Sequence, residues 1–400
     1  MNAQLSSMLL KSSASVRHAR QPIAGQYFAA RYRSWTMWFL GFLGGIAAFN
    51  GLLLSPYAAP PLWAAQTPEP VLGTTAYGFS TTAPPVRAAD IEARVREAYR
   101  QNREVDDVAA EIDQRGINFE MTEAFGRKMR FLRAAQVESA LWRADERRRA
   151  VVARPQRPAA LPADDPNVPL YREEQPFIEQ VRAVTKAYVS SLPDFTARQR
   201  VQRYYRVGGA PWRLGDYLEI AVAYSAEKGE RLELKLHNGV STVLGLEEVG
   251  GLTSTGQFAG LLKSLFDDES QTQFRDAGTA DFYGRICRVF AYMVETAHSR
   301  QSIQVGKART IAGYRGRLLV EPETRRIVRL ESECIDLPRD FPVSEAVSVV
   351  EFGWVTIGDN DYLMPVAARV ALTDRKEGIV SLNCITFQKY GKFETTVVVE

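Results

Sequence analysis

The second half of the chain is dominated by short stretches in which apolar and polar residues alternate, a period typical of β-strands with one buried face. In the first stretch, Val201, Tyr205 and Val207 alternate with arginines and glutamines. Turn sequences such as Asn238-Gly239 separate consecutive stretches and favour hairpins. Consecutive hairpins indicate an antiparallel sheet, and a sheet of many strands has to twist and curl. The predicted strands are 195–207, 218–224, 232–237, 285–296, 315–320, 326–334, 346–357, 362–372, 379–387 and 395–399.

One amphipathic helix is predicted to interrupt the sheet at 254–266. Ser254 and Gln257 have the spacing of a capping box, and apolar residues follow at every third or fourth position as far as Phe266. The apolar side of so short a helix needs an apolar partner, which the hollow of a curled sheet supplies. We therefore predict that this helix lies in the hollow as a lid or plug.

The alternation also indicates which side chains face the hollow. Each buried CH₂ group of an acyl chain contributes about 0.8 kcal/mol, so an apolar hollow of this kind is suited to a long hydrocarbon chain. The alternative is that the same side chains fill the sheet's own core and leave no cavity. The residues predicted to line an apolar ligand cavity are Tyr205, Leu218, Ile220, Val222, Leu234, Phe258, Leu262 and Leu265.

The first half of the chain changes to the helical period. Apolar residues at three- and four-residue spacing predict four helices between 90 and 152, with Gly116 ending the second and Thr122 capping the third. The charge run Arg143–Arg149 is interpreted as a solvent-exposed helix end. Six prolines between 153 and 176 then predict an extended linker.

The N-terminal segment predicts export. Residues 35–54 carry no charge, are long enough to span a bilayer as a helix of about 20 residues, and follow the basic Arg31 and Arg33. Two alternatives remain open: cleavage as a signal peptide near 61–65, or retention as a signal-anchor in the inner membrane with the bulk in the periplasm. Both place the rest of the chain outside the cytoplasm, and membrane contact requires the uncleaved segment.

These patterns divide the chain into five parts. The first two are an export signal or signal-anchor at 1–66 and a flexible tether at 67–89. They are followed by a small helical module at 90–152, a Pro-rich linker at 153–176 and an antiparallel half-barrel domain at 177–400. The predicted fold class is therefore α+β, a curled antiparallel half-barrel with plug helices behind a small all-α module.

Composition narrows the function classes. The 400 residues are 46% hydrophobic and 24% charged, with 50 basic and 47 acidic residues, so nothing suggests a nucleic-acid partner. Three histidines and no recognisable catalytic motif argue against an enzyme, a metal site and a cofactor. One disulfide among Cys287, Cys334 and Cys384 is permitted in an oxidising compartment, and its pairing stays open.

Several stretches carry a family resemblance. The strand–turn–strand Arg315–Glu331 is similar to one in the LolA/LolB-like lipoprotein-carrier superfamily, and 192–195, 251–258 and 341–346 resemble exported acidobacterial proteins of the outer-membrane lipoprotein-sorting type. The resemblance covers about 177–400 and implies a half-barrel that binds a hydrophobic ligand. Two departures are the helical module, since carriers of this type have one domain, and Ala197, where relatives often carry a cysteine.

Two functional hypotheses follow. The first is a non-enzymatic protein of the cell envelope that binds an acyl chain or a lipidated protein in the half-barrel cavity. The alternative is a structural or interaction module with a dry core, whose helical module docks another envelope protein.

Overall fold

An eleven-stranded antiparallel sheet organises the described part of the molecule. In a computed structural model, residues 83–152, 175–249, 260–305 and 308–393 are described. The strand order is β4-β3-β2-β1-β13-β12-β11-β10-β9-β6-β5, and β7 pairs with β8 as a separate hairpin. The strands are β1 Phe195–Val207, β2 Arg213–Ser225, β3 Gly229–His237, β4 Val240–Ser241, β5 Gln273–Phe282, β6 Arg285–Val294, β7 Ser302–Val305, β8 Ala308–Ile311, β9 Gly313–Val320, β10 Ile327–Ile335, β11 Val343–Ile357, β12 Asn360–Asp374 and β13 Ile379–Lys392.

Helices lie against both faces of this sheet. One face, here called the inner face, carries Val201, Ile220 and Val350 and packs against α5 and α7 in one large apolar cluster. The opposite, outer face carries Tyr204 and Ala371 and packs against α1–α4. The helices are α1 Ala88–Arg100, α2 Asp106–Arg115, α3 Glu123–Phe131, α4 Ala135–Val152, α5 Phe177–Ser190, α6 Leu246–Val249 and α7 Gly260–Phe266.

The open antiparallel sheet and the helices around it agree with the sequence prediction. The Thr122 hydroxyl accepts a hydrogen bond from the Phe125 N–H at the start of α3, and α2 ends at Gly116, whose φ of 77° suits glycine. The alternating pattern missed β5 and β8 because their exposed positions dilute the apolar period, and it missed the four-residue β7 because so short a strand carries little of that period. The predicted strand 395–399 lies outside the described residues.

The predicted membrane segment also lies outside the described residues, together with the rest of 1–82 and the linker residues 153–174. Within the described ranges, no helix combines the length and the apolar character needed to cross a bilayer.

The four N-terminal helices form a layer on the outer face. Their apolar sides share a cluster with Tyr204, Val347, Leu382 and Cys384 of the sheet. The prediction of a solvent-exposed charge run at the end of α4 is wrong for Arg147, which is 3% exposed because it lies between α4 and the sheet.

Candidate ligand site on the inner face

Six of the eight residues predicted to line a cavity lie in the same apolar cluster on the inner face. The strand register brings Leu218 opposite Val201 and Ile220 opposite Leu234, so these side chains are neighbours on one side of the sheet. The helix α7 contributes two more from above. The six buried residues are Leu218, Ile220, Val222, Leu234, Leu262 and Leu265.

The other two predicted residues have different positions. Phe258 lies outside the described residues. Tyr205 is half-buried near the end of β1 and is not part of the apolar cluster. The register between β1 and β2 shifts between Gln202 and Tyr204, and Tyr205 pairs with Arg213 beyond that irregularity.

The helix α7 is a short plug on the inner face. It has seven residues, and its Leu262, Leu265 and Phe266 are buried in the cluster. The Phe266 ring stacks on Phe274 with ring centroids 5.3 Å apart. Apolar packing therefore supplies most of the contact between α7 and the sheet.

Among the described residues, three hydrogen bonds complete the attachment of α7. The Arg182 guanidinium of α5 donates to the Phe266 carbonyl at 3.2 Å, and the Thr272 hydroxyl donates to the Leu265 carbonyl at 2.6 Å. The Ser264 and Tyr314 hydroxyls lie 3.4 Å apart. These contacts are few, so displacement of α7 breaks little besides its apolar packing.

A cavity of about 20 Å³ lies between α5, α7 and the sheet. That volume corresponds to about one water molecule, so an acyl chain does not fit while α7 is in place. The cavity is lined by Val184, Thr185, Tyr188, Leu262, Arg326, Ile327, Phe352 and Leu363. Arg326 was missed at the sequence level because it sits in an Arg-Arg pair at a turn, where a solvent-exposed position is the usual outcome.

Three polar side chains lie together at one end of the inner face. The Arg203 guanidinium donates two hydrogen bonds to the Asp216 carboxylate, and His237 Nε2 lies 2.9 Å from Asp216 Oδ2. Burial raises the pKa of Asp216, but the hydrogen bonds from Arg203 and His237 outweigh it and leave that pKa below its ordinary value. His237 is half-buried in this position.

A second concavity, of about 690 Å³, lies between the helical layer and the sheet on the outer face. Four arginines line it: Arg115, Arg148, Arg317 and Arg329. Each of them already forms an ion pair with a carboxylate, such as Glu331 with Arg317 at 2.6 Å. The arginines of this groove are therefore neutralised within the protein.

The three cysteines are free and lie in separate parts of the sheet. Burial raises the pKa of the Cys287 thiol to about 11 and that of Cys334 to about 12, and it also raises the pKa of Cys384. The thiols are thus protonated near neutral pH. In the described ranges, no group of three or more histidine, cysteine, aspartate or glutamate side chains is arranged to hold a metal ion.

Solved structures similar to this chain include members of the family that the sequence resembles. A LolA superfamily protein from Nitrosomonas europaea matches with 10% identity over 55% of this chain and 94% of its own, at a TM-score of 0.25. A DUF1329 family protein from Desulfovibrio piger matches with 12% identity over 56% and 96%, also at 0.25. An outer membrane lipoprotein-sorting protein domain from Vibrio parahaemolyticus matches with 9% identity over 55% and 93%, at 0.22.

No family model matches the chain, and no curated protein matches it. The TM-scores of these solved structures lie below 0.5.

Proposed function

We propose that this chain is an exported, non-enzymatic protein of the cell envelope that binds the hydrocarbon chain of an amphiphile between its inner face and α7. The observation that carries the proposal is the plug itself. A helix of seven residues covers an apolar sheet face with three buried side chains and few hydrogen bonds. A hydrocarbon chain that enters under α7 replaces those contacts with chemically equivalent ones.

The free energy lost when α7 leaves the sheet and the free energy gained when a hydrocarbon chain is buried are of similar size. Burying Leu262, Leu265 and Phe266 stabilises the closed form by about 5–9 kcal/mol in total. At about 0.8 kcal/mol for each CH₂ group, a chain of about 6–11 methylene groups offsets their loss. A C12 chain therefore reaches the upper end of this range, and we expect binding from about this length, with an affinity that rises with chain length.

The alternative function is favoured by one observation, the small volume under α7. A cavity of about 20 Å³ is what a permanently packed core leaves, and such a core belongs to a structural or interaction module. The two functions differ in whether α7 leaves the sheet.

The test uses a variant that weakens the plug. We expect Leu265→Ala to bind a dansyl-labelled C12 fatty acid about tenfold more tightly than the unsubstituted protein, because the truncated α7 competes less well for the inner face. Fluorescence titration measures the affinity, and mass spectrometry of organic extracts identifies lipid that co-purifies. Thermal unfolding shows whether the variant is folded.

The matched control is Val240→Ala, a truncation of an apolar side chain that is 69% exposed and outside the apolar cluster of the inner face. Its affinity should equal that of the unsubstituted protein. Absence of co-purified lipid, together with no binding by either the unsubstituted protein or Leu265→Ala, would overturn the carrier function in favour of the dry module. Weaker binding by Leu265→Ala would place Leu265 in the binding wall rather than in a plug.

A further inference from the structure

Arg326 places a positive charge beside the apolar core of the inner face. The residue is 9% exposed, and its guanidinium carbon lies 4.5 Å from the centroid of the Trp354 ring. Among the residues that the structure describes, none forms an ion pair or a hydrogen bond with this guanidinium. Burial lowers the pKa of Arg326, and the more distant Tyr188 and Glu321 partly oppose that effect.

This arrangement differs from that of three other arginines within the sheet, although Arg206 likewise lies over a tryptophan ring, that of Trp212. Arg203 is paired with Asp216, and Arg329 and Arg369 are paired with Glu351. Buried charges in proteins are ordinarily paired because removing an ion from water without a partner costs several kcal/mol. Glu321, whose negative charge acts on the pKa of Arg326, pairs with Arg285 at 3.2 Å.

Arg326 also lies beside the space that the proposed ligand would occupy. Arg326 lines the cavity under α7 together with Thr185 and Tyr188 of α5, and Leu262 of α7 forms part of the same wall. Displacement of α7 removes Leu262 and enlarges the space in front of Arg326. The apolar surface that receives a hydrocarbon chain is then continuous with a cation.

We propose that Arg326 binds the anionic head group, a carboxylate or a phosphate, of the amphiphile whose chain replaces α7; this inference rests on the function proposed above. A guanidinium presents parallel N–H donors that match two oxygens of either anion. The Trp354 ring holds the guanidinium plane in position by a cation–π contact. A neutral amphiphile leaves this charge unpaired and is therefore expected to bind with lower affinity.

The experiment compares three ligands with the same chain: dodecanoate, dodecyl phosphate and dodecanol. We expect both anions to bind the purified full chain at least tenfold more tightly than dodecanol in competition with the dansyl-labelled fatty acid. The stronger of the two anions identifies the head-group class. The affinity of Arg326→Gln for both anions should fall to its affinity for dodecanol. Arg326→Lys should retain part of the preference for anions over dodecanol. The control is Arg339→Gln, which removes an exposed arginine and should leave all three affinities unchanged.

The outcomes separate this inference from the proposed function. Equal binding of all three ligands to the unsubstituted protein would overturn head-group recognition and leave chain binding intact, with no variant needed for the conclusion. A preference for anions that Arg326→Gln retains would assign the head group to another cation and overturn the role of Arg326. Failure of all three ligands to bind would overturn the proposed function and this inference with it.

Discussion

Replacement of Glu351 by glutamine is expected to destabilise the protein by about 3–5 kcal/mol, because it leaves buried positive charge without its carboxylate. Glu351 is 1% exposed on the outer face of β11. Arg329 donates to its Oε1 at 2.8 Å, Arg369 donates to the same oxygen, and Arg147 Nε lies 3.8 Å from Oε2. Burial opposes ionisation, but the three guanidinium groups lower the pKa of Glu351 to about 2.

The same charges attach the helical layer to the sheet. Arg147 of α4 donates to the Asp113 carbonyl at 2.8 Å, and Arg369 of β12 donates to the Gln114 carbonyl at 2.7 Å. Both carbonyls belong to the last turn of α2, where the negative end of the helix dipole favours a cation. Glu351 thus holds two arginines in position against α2, and its loss is expected to loosen the layer as well as the sheet.

The pH dependence of stability provides a second measurement of the contribution of Glu351. A group whose pKa is lowered on folding contributes stability above its unfolded pKa, here 4.5, and that contribution is lost as the pH falls towards about 2. The difference in unfolding free energy between the unsubstituted protein and Glu351→Gln should therefore be full near neutral pH and shrink between pH 4.5 and 2. Urea unfolding at a series of pH values measures it.

The matched control is Glu333→Gln, which removes the half-exposed carboxylate that pairs with Arg315 at 3.2 Å. A pair of this exposure contributes about 0–1 kcal/mol, so this variant should unfold nearly as the unsubstituted protein does. Equal stabilities for Glu351→Gln and Glu333→Gln would mean that the ion pairs of Glu351 make no net contribution to the free energy of unfolding.

The inner face was predictable from the sequence because a strand reports its buried side through alternation alone. Ile220 and Leu234 could be assigned to one face before their pairing was known, and the structure places them opposite each other. Tyr205 was assigned by the same rule, and its unbroken register with β13 keeps it on the face of Val201, but it lies near the end of β1, outside the apolar cluster.

The outer face was not predictable, for a different reason. Alternation shows that Glu351 and Arg369 oppose the apolar face, but not whether the opposite face meets water or another layer. The helices between 90 and 152 were identified, yet their docking against the sheet depends on contacts between residues more than two hundred positions apart, such as Arg369 and the Gln114 carbonyl. The sequence therefore suggested a solvent-exposed face where the structure has a buried charge network.

A second variant tests that docking without altering any charge. We expect Gly353→Ala to destabilise the protein by about 3 kcal/mol, near the upper end of what overpacking costs. A Cβ atom at Gly353 of β11 would lie 2.5 Å from the Ala150 carbonyl oxygen of α4 and 2.9 Å from a methyl group of Val366. The backbone of α4 cannot rotate out of the way as a side chain would, so the end of α4 has to move off the sheet.

Hydrogen–deuterium exchange shows which part of the protein Gly353→Ala loosens, as well as by how much. Amides in the last turns of α4 should exchange faster in Gly353→Ala, because Arg285 donates to the Val151 carbonyl at 2.7 Å and this contact is lost when α4 shifts. The control is Gly209→Ala, at a position where a Cβ atom meets nothing within 4 Å. If the two variants showed equal stability and equal exchange in α4, close contact between the helical layer and β11 would not be a feature of the folded protein in solution. Faster exchange confined to α4, with the sheet unchanged, would instead identify the layer as a unit that opens separately from the strands beneath it.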